Sequence, residues 1–167
     1  MDKIMNGKVW RFGDNINTDL IFPSQYLYES QDPYLLAQCA MEPLIKDFYK
    51  VIEPGDFIVG GENFGCGSSR EQAVTSLKYA GVGGVIAKSF SRIFFRNSIA
   101  HGLPSACCPE FVDKVQNGDY ITIDWAENTI VFNGNVYSFA PLGAHVRGIL
   151  EKGGLLPYLK ERFKNSN

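Results

Sequence analysis

Gly60-Gly61-Glu62-Asn63-Phe64-Gly65-Cys66-Gly67-Ser68-Ser69-Arg70-Glu71 gathers four glycines, two adjacent serines, a cysteine and an arginine within twelve residues. Glycine opens backbone torsions closed to other residues and lets a ligand approach the main chain. The residues that follow read as a helix, and the first turn of a helix offers unpaired N–H groups and partial positive charge to an anion. Arg70 adds a planar fork suited to a carboxylate or phosphate. Ser68, Ser69 and Cys66 add hydroxyls and a thiol beside that fork. The chemistry on offer is anion binding with a nucleophile or base alongside it.

Two readings of the stretch stay open on local pattern alone. In one, it is a strand-to-helix loop in which Ser68 pairs with Glu71, or Ser69 with Gln72, as a capping box. In the other, the loop is an anion site. The Gly-Lys-Ser/Thr ending of a P-loop is missing, and the glycine spacing does not match a dinucleotide fingerprint. Cys66 is a nucleophile candidate because thiols at helix N-termini ionise more readily.

The surrounding elements explain why such a loop would be held in place. Phe57-Ile58-Val59 reads as a strand entering it, after a Pro54-Gly55-Asp56 turn. Gln72 to Ala80 reads as a helix stopped by Gly81. Val82 to Ala87 is a buried strand, and Ser91 caps a helix that ends at Gly102. Leu103 to Cys107 is the next strand, then Pro109 to Gln116 a short helix. Strand–helix–strand–helix–strand implies a central parallel sheet with crossovers. Upstream, Val9 to Phe12 reads as a strand and Gly13 to Asp19 as a polar loop. Asp19 is there an N-cap, a turn residue or a ligand-facing carboxylate. Leu20 to Pro23 is a short apolar run, and Ser24 to Ser30 a loop with two exposed tyrosines. Asp32-Pro33 opens a helix, and a second short helix is expected over about Pro43 to Tyr49. Downstream, Tyr120 to Asp124 alternates, and Thr129 to Phe139 is a hairpin turning at Asn133-Gly134. Helices are expected over Gly143 to Leu150 and Leu155 to Phe163, with Lys164 to Asn167 frayed.

The bulk composition excludes several classes. The chain has 167 residues, 45% hydrophobic and 20% charged, with a net charge of -2. That suits one domain, residues 1–167, with a sizeable core. No basic block marks a nucleic-acid partner, and no apolar run approaches the ~20 residues of a membrane span. Met1 to Gly7 lacks the apolar core of a secretion signal, which points to the cytoplasm. The cysteines are Cys39, Cys66, Cys107 and Cys108, without a CxxC pair, and the histidines are only His101 and His145. No metal site built by this chain is expected. Cys107 and Cys108 read as small core residues.

Two segments together carry a resemblance. Gly13-Asp14-Asn15-Ile16-Asn17-Thr18-Asp19 and Gly61 to Ala73 are similar to the small-subunit family of 3-isopropylmalate dehydratases, the separate swivelling domain of the aconitase superfamily. Lys88-Ser89-Phe90-Ser91-Arg92-Ile93-Phe94 and Asn97 to Pro104 resemble it too, so the likeness spans nearly the full length. The resemblance implies an α/β fold: a swivelling β/β/α domain with a central parallel sheet, flanking helices and a small antiparallel hairpin section. It implies a large catalytic subunit as partner, carrying a [4Fe-4S] cluster on its own cysteines. It implies dehydration and rehydration of a small dicarboxylic hydroxy acid, 2-isopropylmalate to 3-isopropylmalate, in leucine biosynthesis. On the matching positions, Ser68 is the base that takes the carbon-bound proton, Arg70 holds a substrate carboxylate and Ser69 helps orient it. Asp19 lies in the other matching loop and faces the active site.

A serine hydroxyl is a very weak base in water, so an alkoxide at Ser68 needs loop N–H groups, the helix N-terminus and Arg70 to stabilise it. The resemblance implies that Tyr26-Leu27-Tyr28-Glu29 is the substrate-specificity loop. Tricarboxylate-specific relatives such as homoaconitase carry an arginine in this loop. Here there is none, Glu29 would repel a third carboxylate, and Tyr28 offers an apolar face to an alkyl group. That favours isopropylmalate over homocitrate, while citramalate and dimethylmalate differ by only one or two methyls. The alternatives are a related aconitase-type dehydratase and a non-catalytic carboxylate-binding module.

Overall fold

One strand belongs to two sheet sections. The structure, a computed structural model, describes residues 3–29 and 31–164; Ser30 and the last three residues of the expected frayed tail lie outside them. Strand β1 (Ile4–Arg11) pairs through Ile4 to Lys8 with β5 (Tyr120–Asp124), antiparallel, and through Val9 to Arg11 with β2 (Phe57–Val59), parallel. On one side β2 continues to β3 (Gly84–Ala87) and β4 (Ser105–Cys107), all parallel. On the other, β5 continues antiparallel to β6 (Thr129–Phe132) and β7 (Asn135–Ser138). The sheet order is β4-β3-β2-β1-β5-β6-β7. Both Asn133 and Gly134 have positive φ, 48° and 77°, the torsions a tight twisted hairpin needs.

The helices are α1 (Thr18–Ile21), α2 (Pro33–Cys39), α3 (Phe48–Val51), α4 (Glu71–Tyr79), α5 (Arg92–Ala100), α6 (Pro109–Val112), α7 (Ala144–Glu151) and α8 (Leu155–Lys164). The expected first strand is longer than Val9 to Phe12, and the helix after Pro109 shorter. The helix expected over Pro43 to Tyr49 is instead a run of turns, with α3 beginning at Phe48. Met41 and Asp47 both take left-handed torsions, φ 55° and 56°, which interrupt a continuous helix. Buried Phe48 packs edge-on against Trp10, ring centroids 5.2 Å apart.

Strand alternation divides the core in two. Ile58, Val85 and Ala87 join Ile21, Phe22, Phe64, Leu77 and Phe94 on the face covered by α1 to α5. Val9, Phe57, Val59 and Ile86 point the other way and pack with Ile121, Ile123, Ile130 and the α6 residues Phe111 and Val112. The antiparallel section thus folds across the second face, giving the expected β/β/α layering. Among the described residues no helix is long and apolar enough to cross a membrane.

Buried Asp56 holds the crossover of β1. Its carboxylate accepts from the Lys8 N–H (2.9 Å), the Trp10 indole N–H (2.9 Å) and the Glu53 N–H (3.1 Å). Gly7 lets the Gly55 turn pass against the strand, since a Cβ there would strike the Gly55 carbonyl.

Candidate functional site

Three loops leave the carboxyl ends of neighbouring parallel strands, where ligands bind in open α/β sheets. They are residues 12–17 after β1, 60–70 after β2 and 88–91 after β3, and backbone hydrogen bonds tie them into one layer. Gly61 N–H donates to Gly13 O (2.9 Å), Asn15 N–H to Glu62 O (2.8 Å), Gly65 N–H to Ile16 O (2.7 Å) and Thr18 N–H to Cys66 O (2.8 Å). On the far side Phe64 N–H donates to Ser89 O (3.0 Å) and Ser91 N–H to Phe64 O (2.9 Å). The Ser91 hydroxyl caps α5 through Phe94 N–H and also donates to Gly65 O at 2.7 Å. Asp14 accepts from Glu62 N–H at 2.7 Å. Asp14 and Ser91 thus hold the glycine loop, and sequence reasoning gave the first no role and the second only a cap.

The serines do not cap. Helix α4 starts at Glu71 with Arg70 in the N-cap position, extended at φ -127° and ψ 113°, and no side chain makes a cap hydrogen bond. Gly67 at φ +96° turns the chain before them. Ser68 and Ser69 are left exposed, with no hydrogen-bond partner for either hydroxyl among the described residues. The capping-box reading is therefore corrected.

Arg70 and Asp19, 51 residues apart, meet beside them. Arg70 Nη1 donates to Asp19 Oδ1 at 2.6 Å and to the Phe22 carbonyl at 3.2 Å. The arginine side chain is only 10% exposed, against 56% for the aspartate. Its hydrogen bond and charge hold the Asp19 carboxyl below the usual carboxylate range. Nε and Nη2 of Arg70 have no partner among the described residues, which leaves the fork that takes a carboxylate through two hydrogen bonds. Asp19 lies in α1, whose N-cap is Asn17, accepting from Leu20 N–H at 3.1 Å. Asp19 is thus neither an N-cap nor a loop residue.

The loop of Tyr26 to Glu29 begins in a 3-10 turn over Ser24–Tyr26. Only one of its tyrosines is exposed, contrary to expectation. Tyr28 is 96% exposed, whereas Tyr26 is half-buried with its ring 6.4 Å from that of Phe22, and Leu27 also packs on the core. A cavity of about 300 Å³ lies behind the loop, bordered by Phe22, Tyr26 and Glu29 on one side and Leu36, Cys39 and Tyr49 on the other. Neither Ser68 nor Arg70 lines it.

The cysteines are all free. Cys66 is half-buried in the glycine loop. Cys108 is buried, as expected, but Cys107 is exposed because the edge strand β4 ends at it. Burial pushes the Cys39 and Cys108 thiols up, away from the readily ionised state of a nucleophile. Among the described residues no group of three or more His, Cys, Asp or Glu side chains is placed to hold a metal ion.

Residues 14–105 match the family model described as the aconitase C-terminal domain. The 3-isopropylmalate dehydratase small subunit of Wolinella succinogenes is 48% identical over 162 residues, 96% of each chain. The isopropylmalate/citramalate isomerase small subunit of Methanocaldococcus jannaschii is 46% identical over 168 residues, 99% of each. A crystal structure of a 3-isopropylmalate dehydratase from the same organism superposes with a TM-score of 0.91 at 43% identity, covering 98% of this chain and 97% of that one. With this likeness in sequence and fold over nearly its whole length, the chain belongs to the 3-isopropylmalate dehydratase small-subunit family, built on the aconitase C-terminal domain.

Proposed function

We propose that this chain is the small subunit of a cytoplasmic hydro-lyase that converts 2-isopropylmalate to 3-isopropylmalate in leucine biosynthesis, active only with a large subunit. The observation that carries this is Arg70: nearly buried, braced on one nitrogen, open on its remaining fork and two residues from the exposed Ser68. Ser68 acts as its alkoxide, taking the proton from the carbon next to a carboxylate to become the hydroxyl and returning that proton on rehydration, while Arg70 Nε and Nη2 hold the carboxylate as charge develops on it. Ser69 orients the same group through its hydroxyl or N–H. The cysteines of this chain are ill placed as cluster ligands. Cys108 is buried under the Ser138 carbonyl, and Cys39, Cys66 and Cys107 lie on α2, in the glycine loop and at the end of β4. The [4Fe-4S] cluster is therefore assigned to the large subunit, where it would supply Lewis-acid chemistry toward the departing hydroxyl.

The test is anaerobic reconstitution with the large subunit, following alkene absorbance. Ser68→Ala should lower kcat at least ~100-fold, the scale of a lost general base, with thermal unfolding unchanged. Full activity in that variant would sink the assignment of the base. No turnover of any acid with an intact cluster would favour a non-catalytic carboxylate-binding module. A second reading is citramalate as substrate, favoured by the name of the Methanocaldococcus jannaschii relative. A panel of 2-isopropylmalate, citramalate, dimethylmalate and homocitrate separates the acids.

A further inference from the structure

Asp19 and the specificity loop share a hydrogen-bonded junction. Asp19 Oδ1 accepts from Arg70 Nη1 at 2.6 Å and from the Ser24 N–H at 3.2 Å. The same Arg70 nitrogen donates to the Phe22 carbonyl at 3.2 Å. One carboxylate oxygen and one guanidinium nitrogen therefore join residues 19, 22, 24 and 70. Helix α1 is itself fixed to the glycine loop, through Thr18 N–H on the Cys66 carbonyl at 2.8 Å. Beyond Ser24, Tyr26 and Leu27 pack on the core, Tyr26 against Phe22, and Tyr26 and Glu29 border the cavity of about 300 Å³. The junction fastens the start of the loop, and Tyr28 and Glu29 at its far end are exposed.

We propose that Asp19 contacts no substrate atom but is a positioning residue that fastens the base of the Tyr26 to Glu29 loop to Arg70, so that carboxylate binding and alkyl-group discrimination are set by one rigid unit. This rests on the proposed function for the identity of the acids. A carboxylate already paired with Arg70 is poorly suited to bind a second carboxylate, because like charges a few ångströms apart repel. It is well suited to aim the free edge of the guanidinium. If the junction opens, Arg70 loses its aim and the loop can shift over the cavity, loosening the fit around an isopropyl or methyl group.

The experiment compares Asp19→Ala and Asp19→Asn in the reconstituted holoenzyme and in the free chain. In the holoenzyme, Asp19→Ala should raise KM for 2-isopropylmalate and citramalate by about tenfold to a hundredfold, the size of a lost charge-assisted hydrogen bond. The kcat should fall as well, because Arg70 also meets the charge that develops on the carboxylate, and the preference between the two acids should narrow. Asp19→Asn keeps an acceptor for Ser24 N–H, so it should raise KM while retaining the preference. In the free chain, amide hydrogen exchange at residues 22–29 should accelerate in Asp19→Ala and change little in Asp19→Asn. A fall in kcat with KM, the acid preference and the loop exchange all unchanged would place Asp19 on the reacting atoms and overturn the proposal. Unchanged preference with unchanged exchange would reduce it to an ordinary surface pair. If the wild-type holoenzyme turns over no acid, the functional reading fails, and the exchange measurement alone decides whether the junction exists.

Discussion

At the scale of single residues, the Asp19–Arg70 pair predicts a specific pH response. The arginine's hydrogen bond and charge depress the Asp19 carboxyl. A group with a depressed folded-state pKa stabilises the fold fully above its unfolded value, and loses that contribution as pH falls through the folded value. The junction should therefore hold from neutrality down through the ordinary Asp range near ~4 and open only below it. Carboxyl NMR of the free chain should show Asp19 titrating below that range, and Arg70→Gln should return it. An unchanged midpoint in the variant would remove Arg70 as the cause. The Lys88–Asp113 pair, 2.5 Å apart, acts in the same sense at both ends. The mutual hydrogen bond lowers Asp113 and raises Lys88. Its stabilisation is present between the two titrations, fading in acid through Asp113 and in strong base through Lys88.

At the scale of elements, the glycine loop is held from beneath by α5. Gly65 has φ +76°, and a Cβ there would collide with the Phe94 ring. Gly65→Ala combines left-handed strain with overpacking, so it should cost about 2 kcal/mol or more in urea unfolding. Loss of activity in parallel would follow from displacing Ser68 and Arg70. Ser91→Ala removes the cap of α5 and the hydrogen bond to Gly65 O together, and should cost about 1 kcal/mol. The two effects should not add in the double variant, because both residues serve one contact. Additive losses would show that loop and cap are independent.

At the scale of the whole molecule, β1 joins the parallel and antiparallel sections, and Asp56 secures the strand where its partner changes. Its three N–H donors would be orphaned by Asp56→Ala. A buried group with several lost hydrogen bonds costs more than one ordinary bond, so the variant should be destabilised by about 3 kcal/mol. Equilibrium urea unfolding reads this directly, and a loss under about 1 kcal/mol would mean that water replaces the carboxylate.

Much of the local structure was legible because it depends on neighbours within a few positions. Asp32-Pro33 opens α2, with Asp32 accepting from Tyr34 and Leu35 N–H. Gly81 at φ +94° ends α4, and Asn133-Gly134 turns the hairpin. The glycine loop and its Ser-Ser-Arg ending were visible as a unit, because their chemistry lies in residue types and spacing. What lay outside the sequence depends on pairings across dozens of residues. The double pairing of β1 leaves no periodic trace, since its partners, β2 and β5, lie far along the chain from it and from each other. The missing serine cap follows from the torsions of Gly67 and Arg70, which leave two good capping residues outside the helix. Tyr26 and Tyr28, two positions apart, part ways because Phe22 lies beneath one of them. The meeting of Asp19 with Arg70 was decided only when β1 and β2 came side by side. The sequence by itself determined which groups were available, and the parallel register of the strands decided which of them touch.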